Sequence, residues 1–264
     1  MKFKDYLKGR GYATKTIHNT ERSAFDFLAW LDGQGMEVEQ VQHSDILAYV
    51  KHQQNKEVQQ ITIERYLNAI KLFYVFQISI KTVKHNPVKN IKIQGIKRKK
   101  LYHTFTPEEL HKLYNGYDPD NIKCPHGRNE KEHWLIERRN KAILGLYVYQ
   151  GIQSSELAKL ETTHISLRKG SIEIIGTKRS DTRTLQLESH QVLDLYDYVL
   201  QVRKDILKIS KEKTDRLFIS PKGGNDHSNF ISAMMRELKR QNPKVKNAQQ
   251  LRTSVIVKWL KQYN

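Results

Sequence analysis

The chain has 264 residues, long enough for two domains with separate cores. Its 46 Lys and Arg outnumber 28 Asp and Glu, a formal charge of +18 that repels itself and calls for a polyanionic partner, nucleic acid or an anionic membrane surface. No apolar run approaches the ~18 residues that a membrane span needs. The start, Met-Lys-Phe-Lys-Asp-Tyr, lacks the apolar core of a signal peptide. Cys124 has no second cysteine to pair with, which fits a reducing, cytoplasmic setting.

Residues 1–88 read as four short amphipathic helices in a bundle. Phe3, Tyr6 and Leu7 form a first apolar face. Thr14-Lys-Thr16 offers a cap for a longer helix carrying Ile17, Ala24, Phe25, Phe27, Leu28 and Leu31 at helical spacing. Asp32-Gly-Gln-Gly35 is a turn. Ser44-Asp45 opens a helix with Ile46, Leu47 and Val50. Thr62 opens another with Tyr66, Leu67, Ile70, Phe73 and Tyr74, and Asn86-Pro87 closes the unit. Residues 89–104 are a linker whose six cations, Lys89, Lys92, Lys97, Arg98, Lys99 and Lys100, have no acid among them. Such a run is a solvated tether or, between basic domains, a set of phosphate contacts with salt-sensitive affinity.

A third region, 105–264, begins with Thr106-Pro-Glu-Glu-Leu110, where proline and two acids suit the first turn of a helix. A polar insertion, 115–131, holds Cys124-x-His126, and no second Cys-His pair gives it metal-ligand spacing. Ile143, Leu144, Leu146, Tyr147 and Val148 suit a buried helix that Gly151 ends through a left-handed turn. Ser154 and Ser155 can cap a new helix through Glu156, Leu157 and Leu160, so residues 152–155 form a corner able to face a phosphate. The period then changes to two. Ile165, residues 171–175 and residues 183–187 alternate as strands, with a basic turn, 176–182, between the last two. Helices return at 192–209 and 229–240, and residues 248–264 close the chain.

Within these elements, Gln150-Gly-Ile-Gln-Ser-Ser-Glu-Leu157 resembles the first catalytic box of the tyrosine recombinases (phage integrases), usually T-G-L-R-x-S-E-L. Gly151, Ser155, Glu156 and Leu157 match. Gln153 stands where the family has its first catalytic arginine, and Gln150 where it has threonine. Gln249-Gln-Leu-Arg-Thr253 resembles the second box, His-x-Leu-Arg-His, with Arg252 retained, Gln249 at the histidine and Thr253 at the second histidine. Thr177-Lys178 and Arg183 fit the β-hairpin that carries the family's lysine. Leu217-Phe-Ile-Ser220 is similar to its Leu-Phe-x-Ser element. Residues 1–88 resemble its core-binding domain through Thr14-x-Thr16, Phe27-Leu28, Arg65-Tyr66-Leu67, Phe73-Tyr74 and Asn86-Pro87-Val88.

The resemblance implies a mainly α fold with a small β-sheet: a helical core-binding bundle followed by an α+β catalytic domain. It implies double-stranded DNA as partner and further recombinase protomers on paired sites. It implies no metal, cofactor, membrane or small-molecule substrate. In the family a tyrosine attacks a phosphodiester, two arginines hold the non-bridging oxygens, and a lysine and a histidine move protons. Carried over, Lys178 and Arg252 are the catalytic residues retained, with Gln153 and Gln249 degenerate positions. Arg65 and Arg183 join the linker cations as expected DNA contacts. Twelve residues follow Arg252, fewer than the family's third box and tyrosine need, and Tyr263 lies too close to Arg252 to align with that tyrosine. Two readings stay open: a site-specific recombinase, divergent or lacking its tyrosine-bearing tail, and a catalytically silent duplex-binding regulator or assembly partner. A generic RNA-binding protein is disfavoured, because no aromatic RNP-like stretch or KH-type glycine loop is present.

Overall fold

The helical periodicity of the first eighty residues becomes four helices in a computed structural model, which describes residues 2–95, 103–176, 181–224 and 227–263. They are α1 (Phe3–Gly9), α2 (Thr14–Asp32), α3 (His43–Asn55) and α4 (Gln60–Ser79). The expected threonine cap of α2 is absent: Ala13 holds the cap position with no side-chain bond. Helix α3 is capped by Gln42, whose N–H donates to Asp45 Oδ2 at 2.8 Å. The apolar stripes meet around Phe27, which is fully buried and lies edge-on to Tyr49, with ring centroids 5.1 Å apart. Burial pushes the Tyr49 hydroxyl up to about 12, so it stays a neutral phenol. Asn86 closes the unit by donating to Lys71 O at 2.9 Å and accepting from Val88 N at 3.0 Å.

The chain divides into two compact units, 1–101 and 102–264, each with its own core. The second opens with α5 (Pro107–Gly116), capped by Thr106 and Glu109 in a reciprocal box. Helix α6 (Glu130–Tyr149) starts on Asn129, whose side chain accepts from Glu132 N at 3.0 Å. It runs through the core, with residues 142–148 all buried. Gly151 ends it at φ +54°, and α7 (Ser154–Leu157) follows. An antiparallel sheet comes next, β1 (Ile165–Ser166), β2 (Ser171–Ile174) and β3 (Arg183–Gln186), in that order, with Ile172 opposite both Ile165 and Leu185.

The single helix expected over 192–209 is two, α8 (Ser189–Asp197) and α9 (Arg203–Ser210), joined by a π-helical turn, Tyr198–Val202. The looser turn accompanies a load on both flanks. Tyr198 donates its hydroxyl to Leu217 O at 2.9 Å, and Arg203 donates to the carbonyls of Thr214 and Arg216, both at 2.7 Å. Helix α10 (His227–Gln241) and α11 (Ala248–Tyr263) complete the unit. The apolar side of α11 is largely covered within the domain: Val255 is buried and Trp259 packs on the core, leaving Leu260 exposed. It therefore calls for less cover than its composition suggests.

Truncating the centre of the first core gives a direct test. Phe27→Ala is expected to cost about 3–5 kcal/mol, read as a lower first transition in thermal or urea unfolding.

Candidate nucleic-acid interface

The corner between α6 and α7 is built by the left-handed turn at Gly151. A Cβ there would lie 3.1 Å from Val255 Cγ1, so glycine also lets α11 approach. Gln153 then occupies the N-cap position of α7, a place that Ser154 and Ser155 were expected to fill. Its backbone N–H donates to Glu156 Oε2 at 2.8 Å. Glu156 is fully buried, and a buried carboxylate requires partners. Arg183 on β3 supplies a two-toothed one, Nη1 to Oε1 at 2.9 Å and Nη2 to Oε2 at 3.1 Å. Arg252 on α11 lies on the other side, with Nη1 3.6 Å from Glu156 Oε2 and donating to Gly151 O. Burial lowers the pKa of Arg252 from its ordinary value, Glu156 opposes that and Arg183 adds to it, and the guanidinium stays charged.

Three segments far apart in sequence therefore converge on one carboxylate. Arg183, expected as a DNA contact, gives its planar fork to Glu156 while its side chain stays 29% exposed. Arg252 is held at the corner with its side chain 16% exposed. Gln153 is half-buried, and its Oε1 accepts from Ser155 Oγ at 3.4 Å. Gln249, one turn before Arg252, is exposed and points Nε2 at Thr253 Oγ1 at 3.5 Å. Lys178 lies outside the described residues, as do Lys97, Arg98, Lys99 and Lys100. Lys89 and Lys92 are exposed. Tyr147, whose hydroxyl meets Ser154 Oγ at 2.8 Å, is buried and pushed up to about 12, so it makes a poor nucleophile.

A groove of about 460 Å³ opens beside this corner between α10 and α11. Its rim carries Arg236, Lys239 and Lys246, and its wall carries Ser154, Asn247 and Gln249. The three cations were missed in the sequence, because Arg236 and Lys239 lie on one helix and Lys246 in the loop after it, and only the fold gathers them. On the first unit, Arg65 is exposed and borders a groove of about 530 Å³ with Arg22, Asn19 and Thr62.

The family pattern described as the phage integrase N-terminal SAM-like domain matches residues 1–81, and that of the phage integrase family matches residues 129–258. The chain belongs to the phage integrase, or tyrosine recombinase, family. Tyrosine recombinase XerC of Anoxybacillus flavithermus is 24% identical over 224 residues, covering 84% of this chain and 70% of that protein. XerD of Shewanella oneidensis is 24% identical over 200 residues, covering 76% of this chain and 61% of that protein. The chain thus spans somewhat under two thirds of XerD. In fold it is similar to a lambda integrase dimer bound to a COC′ core site, with TM-score 0.63, 14% identity, and coverage of 99% of this chain and 88% of that one. The Tn1549 transposon integrase in complex with circular intermediate DNA has TM-score 0.61 at 13% identity, over 99% of this chain and 86% of that one. This integrase-family fold is mainly α with a three-stranded antiparallel sheet, as the resemblance implied.

Glu156→Ala would leave two guanidinium groups without their shared acceptor. It is expected to cost about 3–5 kcal/mol, seen as a lower unfolding temperature. Glu156→Gln, which keeps the shape and one acceptor, should lose less.

Proposed function

We propose that the chain binds duplex DNA in the cytoplasm and acts in site-specific recombination or integration, by strand cleavage and rejoining through a phosphotyrosyl link. The observation supporting it most is Arg252, clamped beside Glu156 at the helix corner and bordered by a basic groove. A guanidinium fixed in place before the phosphate arrives stabilises charge on non-bridging oxygens at little reorganisation cost. Lys178, which lies between β2 and β3 in sequence, is the proposed proton donor to the leaving 5′-oxygen. Arg65 and the linker cations Lys89, Lys92, Lys97, Arg98, Lys99 and Lys100 are proposed backbone contacts, joined by Arg236, Lys239 and Lys246. Further protomers on paired sites are the proposed partners: similar integrases have been solved as dimers and as a tetramer on a Holliday junction.

A second reading, a catalytically silent duplex-binding protein, is favoured by Gln153 and Gln249. Each can donate a hydrogen bond to phosphate, and neither brings charge or proton transfer. Losing one preorganised donor of this kind costs about 3 kcal/mol of barrier.

Duplex binding should fall steeply as salt rises, by roughly 0.9 log units per log unit of salt for each phosphate contact. Arg252→Gln should weaken binding and lower that slope by about one. The triple change Arg236→Gln, Lys239→Gln, Lys246→Gln should lower it by about three if each cation meets a phosphate. An absence of duplex affinity at low salt would overturn both readings. Nicked suicide DNA separates them: a covalent adduct supports the recombinase, and binding without an adduct supports the silent protein.

A further inference from the structure

A cavity of about 380 Å³ opens within the first unit, where α2 and α3 meet Tyr66 of α4. Trp30, His52 and Tyr66, each half-buried, bring rings to its lining. The Trp30 indole is held by its neighbours, with ring centroids 6.1 Å away at Phe27, 5.3 Å at Tyr49 and 6.1 Å at His52. A ring already fixed loses little freedom when another ring stacks on it.

Tyr49 lines the same cavity and has no exposed surface. Its hydroxyl has no hydrogen-bond partner. Such groups are rare in folded proteins, because each bears the full cost of leaving water. The polar side chains that act on this hydroxyl are Tyr66, Asp26 and Gln53, and all three line the cavity. The hydroxyl is therefore aimed into it. Gln53 is buried too, and its approach to Tyr49 falls short of a hydrogen bond.

The charges at the rim narrow the occupant. Lys56 is exposed and works against a cation, while Asp26 is exposed and works against an anion. What fits is a neutral, flat ring with donors and acceptors on its edge, able to stack on indole, donate to the Asp26 carboxylate and accept from the Tyr49 hydroxyl. A nucleobase has this make-up. Asp26 and Tyr66 also border the groove that carries Arg22 and Arg65, so the two depressions share a wall. Phosphates at those arginines and a base in the cavity are compatible with one strand.

We infer that this cavity takes an unpaired nucleobase, supplied by a single-stranded end or by a free nucleotide. The inference deepens the DNA-binding reading, on which the strand source rests. A paired base has its edge engaged by its complement and its faces by stacking, so only a base outside the stack is available. Stacking on an aromatic side chain accepts any base, and it survives where sequence is not read.

The test compares two duplexes by fluorescence anisotropy at low salt, one with a five-thymidine overhang and one with an abasic overhang carrying the same phosphates. The parent chain should bind the thymidine overhang about tenfold more tightly. Trp30→Leu and Tyr49→Phe should each bring that ratio below about threefold while affinity for the abasic duplex stays unchanged, which a merely structural role would not produce. Tyr49→Phe keeps the ring and removes only the unpartnered hydroxyl, so it carries the comparison if Trp30→Leu does not fold. Millimolar dTMP that abolishes the ratio assigns the cavity to free nucleotides as well, and a ratio that survives dTMP assigns it to a base tethered on a strand. Equal binding of the two duplexes by the parent, or an undiminished ratio in Tyr49→Phe, overturns the inference and leaves duplex binding standing. No binding of either duplex by the parent overturns the DNA-binding reading itself.

Discussion

The second unit is organised by the removal of one carboxylate from water. Glu156 has no exposed surface, and such a group is tolerated only where charge and hydrogen bonds surround it. It draws in Arg183 from a strand, Arg252 from the last helix, and the N–H of Gln153 from its own turn. Each partner comes from a different element, so the carboxylate fixes how hairpin, corner and final helix meet. Gly151 is the steric condition for that meeting, since a side chain there would collide with Val255. The same charge arrangement that stabilises the fold holds Arg252 where a phosphate is proposed to lie.

The surplus of positive charge divides into two populations. Several arginines are spent internally. Arg203 and the buried Arg139 donate to backbone carbonyls, Arg183 to a carboxylate, and Arg138 to Asp120. Their planar forks suit such fixed acceptors. Arg236, Lys239 and Lys246 instead stand exposed around the groove. The formal charge of +18 already sets each acid against a base, so for a polyanion the position of the exposed cations matters more than their number.

Much of this was legible in the residues. Helical and alternating periods placed most of the elements, because a helix or strand with one apolar face has few ways to bury it. Gly151 and Glu156 were visible as a corner. The bond from Arg183 to Glu156 was not, since an arginine in a hairpin gives no sign of a buried acid 27 positions away. The π-helical turn was equally hidden, because Tyr198 and Arg203 have partners only in a distant loop. The groove cations escaped notice because proximity between α10 and the start of α11 is a property of packing. Gln250, fully buried with its Nε2 donating to His103 O and Lys244 O, escaped because a buried polar residue next to a motif is silent until its acceptors are in place.

The two glutamines at the family's catalytic positions can be understood through what each position contributes to the frame. At 153 the frame uses the backbone N–H, which every residue but proline supplies, so the carboxylate stays satisfied whatever side chain is present. At 249 the side chain is exposed and reaches Thr253 on its own helix, without touching Glu156 or Gly151. Neither replacement therefore loosens the clamp on Arg252. The fold holds Arg252, the arginine proposed to face phosphate, through one set of atoms, and the chemistry would be carried by another. A chain can lose charge and proton transfer from the second set while the first persists, so at this corner grip on a backbone and cleavage of it are physically separable.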